Sequence, residues 1–198
     1  MVAAASIQSL WLLLAAALHV ATCLAADGSE LTSLYTPLSL SGCAAPSPEV
    51  AKAYAARDLA VEECPAPSPY RLFVVSTDAR SWVDVRRNDR TWSTEQRVVY
   101  SQEVLALGQF PNVAGSNRAE WRLNQYGRPR ALIVRLKLVA PPENAREAAT
   151  VSRLLVIGLS DDAACDLGLA RSNEEARQLA DKSPDSCPTV LPVFPEGN

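Results

Sequence analysis

Histidine occurs once in the 198 residues, at position 19. That position lies inside an apolar run near the N-terminus, so the rest of the chain has none. The absence excludes Ser-His-Asp and Cys-His triads, histidine-ligated zinc and the ordinary imidazole base. Paired carboxylates and Ser-Lys arrangements survive as catalytic options, but no motif points to either. No cysteine pair has the short C-x₂₋₄-C spacing of a tetrahedral zinc site. There is no Gly-rich phosphate loop, no internal repeat and no long charge run. With 19 basic and 22 acidic side chains the formal net charge is −3, which leaves no clustered basic excess for nucleic acid or an anionic membrane. No cofactor and no metal site are expected.

Lys and Arg are also missing before the apolar run Leu10–Val20, LWLLLAAALHV. A spanning helix needs roughly 20 apolar residues, so this run is too short to cross a membrane. Its terminal position and the small residues that follow, Ala21-Thr22-Cys23-Leu24-Ala25-Ala26, fit a signal peptide over residues 1–26. Cleavage is expected after Ala25 or Ala26, with Asp27 supplying the first acid. The mature chain is then expected to be periplasmic or secreted, with no transmembrane segment. Val20-Ala21-Thr22-Cys23 resembles a lipobox, and a lipid anchor through Cys23 is the alternative address. Leu40-Ser41-Gly42-Cys43 matches a lipobox letter by letter but lies beyond the reach of the signal run.

Removal of the signal leaves four cysteines, Cys43, Cys64, Cys165 and Cys187. An even count in an exported chain predicts disulfides. Four cysteines allow three connectivities, and the similar spacings favour the local one, Cys43–Cys64 with Cys165–Cys187. Each bridge would stabilise by about 3 kcal/mol through restriction of the unfolded chain.

Residues 27–187 are of a length that suits one domain with its own core, followed by a Pro-rich tail, 188–198, expected to be loosely ordered. The pattern predicts a first strand near Tyr35, a helix over Glu49–Glu62 and a stiff connector through Pro65, Pro67 and Pro69. Strand signals follow in Tyr70–Ser76 and Ser81–Arg86. Asp84–Arg90 reads as a solvated turn and Arg97–Leu107 as a strand, with a helix as the other possibility there. The clearest unit is a β-hairpin, Arg118–Asn124 and Pro129–Val139, around Gln125-Tyr126-Gly127-Arg128. Period two puts Trp121, Leu132, Val134, Leu136 and Leu138 on the core face. Val151–Leu159 is a further strand. Beyond Cys165, Ser172-Asn173-Glu174-Glu175 fits a capping box that opens a helix ending before Pro184. The expectation is an α+β fold: a mainly antiparallel β-sheet with short flanking helices, stapled by disulfides.

Several of these residues, taken in order, resemble an uncharacterised family of exported proteobacterial proteins. They are Ser33-x-Tyr35-Thr36-x-Leu38-x-Leu40, Cys43, Cys64, Asp78-x-Arg80, Glu120-Trp121-Arg122, Pro129-x-Ala131-x-Ile133-x-Arg135, Leu154–Val156, Cys165, Ala176-Arg177-x-x-Ala180-Asp181 and Cys187. The chain departs from that pattern at Cys64, which Pro65-Ala66-Pro67 follows in place of an early glycine. The resemblance implies export and this fold outline, and it implies no activity.

Glu120, Arg122 and Arg135 share the hairpin face opposite Trp121, and Asp78 and Arg80 join them if their strand is a neighbour. These five form the candidate interaction face, for an envelope protein or a glycan. The alternative is cross-strand ion pairing on a solvated sheet face, worth roughly 0.2–1 kcal/mol per pair. With no catalytic constellation, a non-enzymatic binding or interaction module is the leading expectation. A carboxylate-based hydrolase acting on cell-envelope polysaccharide is the other; it would need two acids in one cleft, one of them with a raised pKa.

Overall fold

The computed structural model describes residues 31–113, 116, 118–141, 150–182 and 187–194. The expected signal segment, with Cys23, lies outside them, as do residues 195–198 of the tail.

The α+β expectation holds. One antiparallel sheet is built from β1 (Thr32–Pro37), β7 (Arg118–Leu123), β8 (Pro129–Val139), β9 (Thr150–Leu159) and β10 (Ala164–Ala170), in the order β1-β7-β8-β9-β10. Strand β6 (Gln109–Asn112) pairs with the far end of β8. A second antiparallel sheet runs β2 (Ala60–Cys64), β3 (Tyr70–Ser76), β4 (Ser81–Arg87), β5 (Arg90–Ser93). The two sheets share a core. Leu132, Val134, Leu136 and Leu138 bury alternate positions of β8, and Leu72, Val74, Val83 and Val85 bury those of the second sheet. Trp121 and Tyr70 meet within it, with ring centroids 6.2 Å apart.

Each sheet carries a helix on its outer face. Helix α4 (Asn173–Asp181) sets Ala176 and Ala180 against Ala131, Ile133, Leu154 and Val156 of the first sheet. Helix α1 (Pro48–Ala55) sets Val50 and Tyr54 on the second. The hairpin joining β7 to β8 closes at Asn124, whose side-chain oxygen accepts from the backbone N–H groups of Tyr126 and Arg128, both at 3.0 Å. Gly127 takes the left-handed conformation there, with φ of +72°, which a residue with a Cβ adopts reluctantly.

Both local disulfides are present, Cys43–Cys64 and Cys165–Cys187. Four expectations are corrected. Helix α1 ends at Ala55, and Ala60–Cys64 is a strand: pairing with β3, plus two backbone bonds between Ala44 and Glu63 at 2.8 Å, overrides the helix propensity of the sequence. Arg97–Leu107 is not a strand but falls in two short helices, α2 (Glu95–Val99) and α3 (Gln102–Leu105). Ser101 separates them and caps α3 by accepting from the Val104 N–H at 3.3 Å. Asp84 is fully buried within β4, and the turn between β4 and β5 is confined to residues near Asn88.

The tail is the fourth correction. Residues 189–194 cross from one sheet to the other. Val190 bridges to Cys165 of β10, and Val193 bridges to Trp92 of β5. Leu191 and Phe194 are buried. Pro192 has no N–H to donate, but its carbonyl accepts from Ser93 at 2.9 Å. Pro192 therefore sits where a strap on a sheet edge tolerates it.

Candidate functional site

The outer face of the first sheet carries charge along β7 where a sheet under a helix would ordinarily carry apolar groups. Glu120 and Arg122 point outward, and both are buried, at 8% and 6% exposure. Their oppositely charged partners are not across the strand. The residues opposite Glu120 are Tyr35 and Ile133, and those opposite Arg122 are Ser33 and Ala131. Those charged partners come from α4. Arg177 donates to Glu120 from Nε at 2.6 Å and from Nη2 at 3.2 Å. Arg122 donates to both oxygens of Asp181, from Nε at 2.9 Å and Nη2 at 2.7 Å.

The spacing explains the match. Two residues along a strand advance about 6.6 Å, and four residues along a helix advance about 6 Å. Glu120 and Arg122 therefore present charges at the pitch at which Arg177 and Asp181 answer them, with the signs reversed. Ser33 on β1 ties the two rungs together: its hydroxyl donates to Glu120 Oε1 and accepts from Arg122 Nη1, each at 2.6 Å. Burial alone would raise the Glu120 pKa. The hydrogen bonds from Arg177 and Ser33 and the charges of Arg177 and Arg122 outweigh it, and hold the carboxyl below its ordinary value.

Beside this ladder lies a groove of about 270 Å³ between α4 and the strands β1, β7 and β8. Its walls carry the cations Arg118, Arg135, Lys137 and Arg177, and one carboxylate, Glu120. Tyr35 stands at the groove with 43% exposure; its hydroxyl accepts from Arg177 Nη2 at 2.7 Å, and the Arg118 guanidinium lies 4.8 Å from the centre of its ring. Arg135 donates to Ser152 Oγ at 2.8 Å and to Asn173 Oδ1 at 3.4 Å. Ile133 and Leu154 are the apolar part of the lining.

Of the five residues expected to share a face, the structure brings Glu120, Arg122 and Arg135 together on the outside of the first sheet. Asp78 and Arg80 are not among them. They sit in the turn between β3 and β4 of the other sheet, where Arg80 Nη1 pairs with Asp78 at 3.0 Å and the guanidinium lies 5.5 Å from the centre of the Phe110 ring. Trp121 is a core residue; its indole N–H donates to Thr36 Oγ1 at 2.9 Å and the side chain has no exposure. No group of three or more His, Cys, Asp or Glu side chains among the described residues could hold a metal ion. Tyr35, Arg118, Arg177 and Asp181 escaped the sequence reading as site residues. The signal was there in Ala176-Arg177-x-x-Ala180-Asp181, whose small residues and charges alternate at helical spacing.

A second acid is perturbed, on the far side of the molecule. Burial raises Asp84 to about 7, against the opposing pull of the Ser93 and Tyr54 hydroxyls. Tyr54 Oη donates to its Oδ2 at 2.8 Å, and Phe194 stacks on Tyr54 with ring centroids 4.3 Å apart. The pair is sealed under α1 and the C-terminal strap. Comparison with protein-family models, with curated proteins and with solved structures gives no match to this chain.

Proposed function

We propose that this protein is an exported binding module that engages a ligand or partner of the cell envelope through the groove beside α4. The observation that carries the reading is the imbalance of charge in that groove. Four cationic side chains line it with one carboxylate, and that carboxylate is already held by Arg177 and Ser33. Positive potential in a concave polar site attracts and orients an anionic ligand. The signal-like run, the two disulfides and the resemblance to exported proteins support a periplasmic or secreted address. No helix among the described residues is long and apolar enough to cross a membrane.

The hydrolase reading asks for a cleft acid with a raised pKa. Glu120 is lowered. Asp84 and Asp166 are raised, but Asp84 has no exposure and lies on the other sheet, and Asp166 is paired with Arg97 at 2.7 Å and does not line the groove. Binding without bond cleavage is therefore the better account of the groove.

Mass spectrometry of the exported, unreduced protein tests the address: an N-terminus near Asp27 and no free thiols are expected. For the groove, a ¹⁵N-labelled mature protein is titrated with envelope saccharide and envelope protein fractions. Shifts gathered at the amides of Tyr35, Arg118, Arg135 and Arg177 are expected. A spectrum in which these amides ignore every fraction removes the groove from consideration. Release of reducing ends from envelope polysaccharide, abolished by Glu120→Gln, would restore the hydrolase.

A further inference from the structure

The cations of the groove are not equally engaged. Arg177 spends its charge on Glu120. Arg118 and Arg135 form no ion pair among the described residues, since the groove's one carboxylate, Glu120, is taken by Arg177. Arg118 lies over the Tyr35 ring and makes no hydrogen bond there, and Arg135 is held by the neutral Ser152 hydroxyl and Asn173 amide. A guanidinium carries five N–H donors in a planar fork that matches a carboxylate. Two forks with donors to spare, on adjacent strands and opening into one cavity, form a receptor for an oxyanion. The rest of the lining narrows the choice. Apart from Ile133 and Leu154 it is polar, with hydroxyl and amide groups from Ser116, Tyr35 and Asn173. A fatty acid would find too little apolar wall, whereas a ring that carries hydroxyls on its edge and C–H bonds on its face suits both parts. The exposed flank of Tyr35 offers such a ring an aromatic surface.

We infer that the groove binds an acidic sugar, with Arg118 and Arg135 taking the carboxylate and Tyr35 flanking the ring. This rests on the reading of the groove as the binding surface and names its ligand class. The carboxylate displaces water from the two guanidinium groups while Glu120 stays with Arg177, so the ladder that holds α4 is not broken by binding.

Titration calorimetry on the mature, disulfide-intact protein tests the assignment with four probes: a glucuronate-containing oligosaccharide, its neutral glucose counterpart, inorganic phosphate and a short acidic peptide. The uronate is expected to bind, more weakly as salt rises, and about tenfold or more weakly in Arg118→Ala and in Arg135→Ala, as loss of a charge-assisted bond implies. Arg135→Lys, which keeps the charge and loses the fork, should also bind less well. Arg118 is exposed and Arg135 half-exposed, and an unchanged thermal midpoint in each variant shows that the fold is intact. Equal affinity for the neutral sugar, stronger binding of phosphate or peptide, or uronate binding that ignores both arginine substitutions overturns the assignment. If no probe binds but envelope fractions still shift the groove amides, the acidic-sugar assignment falls and the binding surface stands. If neither occurs, both fall.

Discussion

Arg122 and Asp181 join strand β7 to the last turn of α4 through two parallel hydrogen bonds, at 2.9 and 2.7 Å. An acid at the C-terminal end of a helix is unfavourable against the helix dipole. Arg122 answers it, and the two sides of the pair differ in exposure, with 7% for the Arg122 side chain and 36% for Asp181.

That asymmetry gives a direction. Asp181→Ala leaves a buried guanidinium with only Ser33 and the more distant Glu120, and is expected to cost about 3 kcal/mol. Arg122→Ala leaves a carboxylate that water can reach, and should cost less. Urea unfolding of both single variants and the double variant measures the difference. Equal costs would overturn the asymmetry, and costs under about 0.5 kcal/mol for both would mean that the pair does not hold the helix.

The second disulfide ties the start of β10 to the strap that follows α4. Replacing Cys165 and Cys187 together by serine is expected to lower stability by about 3 kcal/mol. It should also raise hydrogen exchange at Leu191 and Phe194, whose amides donate to Ala164 and Thr91 at 2.8 and 2.7 Å. Exchange unchanged at those two amides would show that the strap holds without its tether.

The buried Asp84 sets a pH dependence. Unfolded, an aspartate titrates at about 3.9; folded, burial lifts Asp84 to about 7. Between those values the unfolded chain binds fewer protons, so stability falls as pH rises through this window. Asp166, also raised chiefly by burial, adds in the same sense. Glu120 acts oppositely. Its lowered folded value makes its contribution complete above about 4.3 and lost as pH falls through the folded value. Asp84→Asn should flatten the thermal midpoint between pH 4 and 7 and leave the acid limb; Glu120→Gln should affect the acid limb alone. A slope between pH 4 and 7 as steep in Asp84→Asn as in the parent would exclude Asp84 as its source.

Trp121 fills the centre of the shared core. Trp121→Ala is expected to cost about 3–5 kcal/mol in urea unfolding. Thr36→Val, which removes only the hydroxyl that accepts from the indole, should cost about 1 kcal/mol. Similar values for the two would show that the indole is held by its hydrogen bond rather than by packing.

The hairpin, the disulfide pairing and the capped helix α4 were legible because each rests on local information: alternation, spacing or a capping hydroxyl. The charged face was half legible. Period two put Glu120, Arg122 and Arg135 on one side, but their meeting with Arg177, Asp181 and Ser33 depends on how α4 lies across the sheet. The placement of Asp78 and Arg80 failed for a related reason, since strand order is a long-range property and β3 pairs in the other sheet. Asp84 was read as a turn residue because charge near Asn88 and Asp89 suggests solvent; Tyr54, thirty residues earlier, supplies the partner that lets it be buried. Pro192 hid the strap in the same way, because it lacks an N–H to donate yet its carbonyl still accepts from Ser93.

The strap has a consequence in time as well as in space. Synthesis runs from the N-terminus, so residues 189–194 are the last of the described segments to emerge. Until they do, β5 lacks the backbone bond from Ser93 to Pro192 and the one from Phe194 to Thr91, and β10 lacks those to Thr189 and Leu191. Each sheet can pair within itself from nearer neighbours, but the clasp between them waits for residues 189–194. A nascent chain of this protein is therefore two half-sealed sheets, and a truncation before Thr189 leaves it so permanently.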